Sequence, residues 1–134
     1  MSKSLIQVSN QSTQAVEEDS IINLGTTQRR YGCNLRLSVN CIEVTGAGYY
    51  KIDGTVSVAP TAVGPVTVAV YDNGSPIPGL VAYDYAATAA QPITVPLVGT
   101  IRQGCACNGA DNLTVVLVEG AGDVENISLR VEKS

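Results

Sequence analysis

Apolar positions along this chain return every second residue, in short runs bounded by turn residues. In the run from Tyr49 to Val58, Tyr50, Ile52, Val56 and Val58 fall on one side, and Lys51, Asp53, Thr55 and Ser57 on the other. Leu35, Leu37 and Val39 alternate with polar residues, and Cys41 to Val44 alternates again after Asn40, which predicts a hairpin. Val66 to Tyr71 is a Val-rich strand ending in Asp72-Asn73-Gly74, a strong signal for a tight turn. Leu80 to Ala87 follows as a strand. Ile93 to Arg102 is a long strand interrupted by Pro96, which predicts an edge or a bulge there. Leu113 to Val118 reads as a buried strand, and Ile127, Leu129 and Val131 share one face of a closing strand. Leu5 to Val8 is a short apolar start and Ile21 to Leu24 a second short strand, with Gly25 to Arg30 a polar connection and Ala59 to Pro65 a loop. No helical period occurs. The pattern predicts an all-β antiparallel β-sandwich of about eight to ten strands, a jelly roll.

Composition narrows the core. With 134 residues the chain is long enough for one domain with a core of its own. It has no Phe, Trp or His, so Val, Ile, Leu and Ala must fill the interior. The net charge of −4 and few Lys and Arg make nucleic acid a poor partner, because phosphate contacts supply most of that affinity. No run approaches a membrane span, so no membrane partner is expected, and Met1 to Leu5 has no apolar segment behind Lys3, which reads as no signal peptide. For such a chain the four cysteines, Cys33, Cys41, Cys105 and Cys107, are expected as reduced thiols.

Catalytic chemistry finds few carriers. The lack of His removes Ser-His-Asp and Cys-His systems and His-based metal sites. Glu17-Glu18-Asp19 reads as a solvated loop, and no other pair of carboxylates is singled out. Cys105-Ala106-Cys107 reads either as a soft-metal or redox pair, or as two small thiols in a loop. Asn10, Asn112 and Asn126 fit the glycosylation pattern but read as turn residues without secretion. No enzyme activity, cofactor or metal is expected. Two surface features remain: the basic-aromatic cluster Arg29-Arg30-Tyr31, and Tyr83 with Tyr85, which share a strand face as an aromatic platform.

The order of Gly48-Tyr49-Tyr50-Lys51-Ile52, the Val-rich strand ending in Asn73-Gly74 and the final strand resembles the tumour-necrosis-factor-like and complement-globular-head jelly rolls, over about residues 46–134. It is also similar to small trimeric proteins of tailed phages and prophages of Gram-positive bacteria. The resemblance implies a homotrimer whose work is recognition or assembly. It places Lys51, Asp53, Thr55 and Ser57, with Thr94, Thr100, Arg130 and Glu132, at the subunit interface. It further implies a virion structural protein (head decoration, fibre or accessory component), made in a bacterial cytoplasm, displayed on the virion surface and bound to a capsid or fibre protein. Residues 1–30 are then expected as an N-terminal arm with the first strands, and 31–134 as the jelly-roll body. The alternative is a carbohydrate-binding or host-surface module, with Tyr83, Tyr85, Arg29 and Arg30 as the glycan or partner contacts.

Overall fold

The computed structural model describes residues 4–32, 34–38, 40–45, 47–89, 91–103 and 111–133. Two antiparallel sheets face each other. Sheet A runs β10 (Ile93–Gln103), β7 (Gly48–Pro60), β12 (Gly122–Lys133), β1 (Leu5–Asn10) and β4 (Thr26–Tyr31), with β2 (Gln14–Val16) paired to the start of β12. Sheet B runs β5 (Leu35–Ser38), β6 (Cys41–Val44), β11 (Asp111–Glu119), β8 (Gly64–Asp72) and β9 (Ser75–Ala86), with β3 (Ser20–Ile21) paired to β11. From β6 onward the chain crosses between the sheets at every connection except the β8–β9 hairpin, the winding of a jelly roll. The seams close where β9 lies against β10 and where β1 and β4 lie against β5.

The alternation predicted for β7 holds. Tyr50, Ile52, Val56 and Val58 are at most 1% exposed, and they meet Val66, Val68, Val70, Leu113, Val115 and Leu117 from sheet B in one aliphatic core. Asn73 and Gly74 both take positive φ (52° and 86°), the conformation of a two-residue hairpin turn whose twist matches its strands. Asn73 also fixes its neighbour: its Oδ1 accepts the Asn112 N–H at 2.9 Å and its own N–H donates to the Asn112 carbonyl at 3.0 Å. Among the described residues Pro96 lies on an edge strand, β10, which pairs with β7, so the edge reading is correct and the missing N–H takes no bond from an inner ladder. No helix of the described residues is long and apolar enough to cross a membrane.

Two expectations change. The first strands expected within residues 1–30 are built into the sandwich: β1 lies between β12 and β4, and Ile6, Val8, Ile22 and Leu24 are fully buried. The expected polar connection Gly25–Arg30 is largely β4, an edge strand exposed along its whole length, so it shows no apolar alternation. The loop from Ala59 shrinks to 61–63, because β7 extends to Pro60 and β8 begins at Gly64. Ten strands form the two five-stranded paths, and the short β2 and β3 add to them.

Cys41 is half-buried, and its thiol donates to the Ser38 carbonyl at 3.2 Å. Burial, and then the nearby Glu43 carboxylate, push its pKa above the ordinary thiol value. Since the thiolate is the reactive form, iodoacetamide should modify Cys41 at pH 8 more slowly than in the unfolded chain. The gap should narrow only as pH rises beyond the ordinary thiol range. Peptide mapping after timed alkylation reads this directly; equal rates at pH 8 would refute it. Cys33 and the Cys105-Ala106-Cys107 motif lie outside the described residues.

Candidate functional site

The outward face of sheet A collects every residue expected at a subunit interface. Partners opposite one another in adjacent strands point to the same side of a sheet, so the register defines rows. One row is Thr100, Lys51, Glu132, Leu5 and Tyr31. The next is Val98, Asp53, Arg130, Gln7 and Arg29, followed by Pro96, Thr55, Ser128 and Ser9, and then Thr94, Ser57 and Asn126. All eight expected residues therefore share one surface, drawn from β7, β10 and β12.

Polar links join the rows. Arg130 Nη2 donates to Asp53 Oδ2 at 2.8 Å, an ion pair across β7 and β12 at the middle of the face. Asp53 raises the Arg130 pKa through that hydrogen bond and its charge. The Ser57 and Thr94 hydroxyls lie 3.0 Å apart. Around the ion pair is a shallow depression of about 440 Å³ whose lining includes Gln7, Thr55, Pro96, Val98 and Ser128.

Apolar groups that were not expected at the interface frame this polar centre. Val98 is 69% exposed, Tyr49 57% and Tyr31 50%. Tyr49 and Val98 sit on the two strands already singled out. Tyr31 joins the face only because β4 pairs with β1, which no local pattern announces. Arg29 joins it too, opposite Gln7. Arg30 turns the other way and its Nε donates to the Leu35 carbonyl at 2.7 Å, tying β4 to β5, so the two arginines do not act as one cluster. Tyr83 and Tyr85 lie on the opposite sheet, in edge strand β9, and are far apart from Arg29 in the fold's layering. An arrangement of hydroxyls, one central ion pair and flanking apolar groups is suited to holding another surface.

The two facing sheets and the winding between them give the fold of a tumour-necrosis-factor-like jelly roll. Solved structures similar to the chain include murine APRIL at pH 5.0, with 12% sequence identity, a TM-score of 0.78, and 99% of this chain and 100% of that one covered. The globular domain of zebrafish complement 1qA matches with 8% identity and a TM-score of 0.67 over 96% of this chain and 94% of that one. The PRD1 vertex protein P5 matches with 12% identity and a TM-score of 0.58 over 97% of this chain and 96% of that one. At such identities the likeness is one of fold. No protein-family profile matches the sequence, and no curated protein matches it.

Proposed function

We propose that this protein is a non-enzymatic structural component of a virion, a homotrimer assembled through the outward face of sheet A that binds a capsid or fibre protein. The observation that carries this reading is the face itself: a central Asp53–Arg130 ion pair framed by Val98, Tyr49 and Tyr31 on the outward side of sheet A. Apolar groups around a fixed polar centre give both contact area and register. The fold shared with a vertex protein supports the virion setting. Hydroxyls on the face, among them Thr55, Ser57, Thr94 and Thr100, suit hydrogen bonds and bridging water between copies.

Light scattering tests the assembly. The protomer is 13.9 kDa, so a trimer has a mass of about 42 kDa. The trimer is expected to persist in reductant, because the face contains no cysteine among its described residues. Arg130→Glu places two carboxylates side by side at the centre of the face, and should shift the native mass to that of the protomer while leaving the strand spectrum intact. A monomeric native protein, or an Arg130→Glu variant that remains a trimer at low protein concentration, would count against the face as the subunit contact.

A further inference from the structure

We propose that the outer edge of sheet B binds a sugar chain carrying free amino groups, held by a platform of Tyr83 and Tyr85 and by the carboxylates of the depression beside it. Tyr83 is 76% exposed and Tyr85 63%. They stand two positions apart on edge strand β9, so they share a face roughly 7 Å apart along the strand. Asp84 Oδ1 accepts the Tyr85 N–H at 2.8 Å, which steadies the strand between them.

The register brings acceptors to this platform. Tyr83 lies opposite Thr67, and Thr67 opposite Glu119; the Thr67 hydroxyl donates to Glu119 Oε1 at 3.1 Å. Tyr85 lies opposite Pro65. Pro65 and Glu119 also line a depression of about 260 Å³, which Glu18 shares. Glu18 Oε1 accepts the Gly120 N–H at 3.2 Å. Among the described residues these contacts engage Oε1 of each glutamate, so Oε2 of each is the acceptor for an incoming group. Two aromatic faces beside two carboxylates favour a ligand that offers both an apolar ring face and a cation.

Charge is divided between the sheets in the same sense. Of the described basic side chains, Arg29, Arg30, Lys51, Arg130 and Lys133 belong to sheet A strands. Sheet B strands hold Arg36 alone, and that is ion-paired to Glu43 at 2.6 Å. The sheet B side therefore repels acidic glycans and attracts amines. The size of the platform points the same way. Two tyrosines bury about 500 Å² at most, short of the roughly 800 Å² per partner of a stable protein interface. The site lies on the layer opposite the sheet A face, so it does not depend on self-assembly.

The test is calorimetric titration of the full chain, at one ionic strength, with the β-1,4 hexamer of glucosamine, the corresponding N-acetylglucosamine hexamer and hexalysine. The glucosamine hexamer is expected to bind, and the acetylated hexamer to bind about tenfold more weakly or not at all. Tyr83→Ala and Glu119→Gln should each weaken binding about tenfold, whereas Tyr83→Phe and, on the exposed part of β12 in the other sheet, Glu125→Gln should not. Tyr85→Ala repeats the test should Tyr83→Ala fail to fold. Absence of binding at millimolar glucosamine hexamer overturns the proposal. So does equal binding of the acetylated hexamer, or full binding by the Tyr83→Ala and Tyr85→Ala variants. Hexalysine binding as tightly as the sugar would also overturn it, because the surface would then be reading charge on a peptide.

Discussion

Deletion of residues 1–10 is expected to unfold the protein, not to release a folded body that has lost an attachment arm. β1 occupies an interior position in sheet A, paired with β12 from Leu5–Glu132 to Asn10–Ile127 on one side and with β4 on the other. Removing it strips the partner from half of β12 and takes away the one strand to which β4 is paired among the described residues. Ile6 and Val8 are 0% exposed. Each contributes about 1.5–3 kcal/mol of burial, and both go at once, with the ladder bonds in addition. Set against a total stability of about 5–15 kcal/mol for a small domain, the loss is a large part of what holds the fold. Circular dichroism melts and light scattering of the truncated chain read the result. A cooperative melt within a few degrees of the full-length protein, at unchanged native mass, would show that β1 is dispensable.

What was legible in the sequence follows from what burial does to local pattern. β7 reads clearly because one side is in the core and the other is not, so the period of two is written in residue type. The Asn73-Gly74 turn reads clearly because its positive φ values restrict the residues that fit. Pro96 marks an edge for the equally local reason that it lacks an N–H. β4 is illegible by the same logic: Thr26-Thr27-Gln28-Arg29-Arg30-Tyr31 is exposed throughout, has one neighbouring strand and carries no alternation. Ile22 and Leu24 are fully buried without belonging to a strand, so an apolar period overstates the strand there.

The candidate face was half legible for a different reason. Which residues of β7, β10 and β12 point outward follows from alternation within each strand. Which rows they form depends on pairings between positions as distant as Asp53 and Arg130, and on breaks in register such as that between Val124 and Asn126. Tyr31 and Arg29 reach the face through the β1–β4 pairing, itself shifted between Gln7 and Val8. Non-local register has no signature in a single strand, and so the apolar frame around the ion pair becomes visible only in three dimensions.

Gly54 carries the second large effect. It faces inward between Ile52 and Val56, where alternation calls for a bulky aliphatic residue. The structure shows why none fits. A Cβ at Gly54 would fall on the Ser128 carbonyl oxygen and lie 3.0 Å from Leu129 Cα. Those atoms belong to β12, the neighbouring strand, and Gly54 is paired with Leu129 on that side and Leu97 on the other. With strands on both flanks, β7 cannot retreat from the clash without stretching one ladder or the other. Gly54→Ala should therefore cost about 3 kcal/mol despite the lower backbone entropy of alanine, lowering Tm by roughly 10 °C. Gly74→Ala is the informative comparison. There φ is +86° and nothing lies within 4 Å of the added carbon, so only the left-handed conformation is penalised, at about 1 kcal/mol. Melting both variants at one protein concentration separates lack of space from lack of conformational freedom. A Gly54→Ala melt at or above that of Gly74→Ala would mean that β7 and β12 part more easily than their pairing implies, and the rigid sheet A on which the proposed interface rests would lose its support.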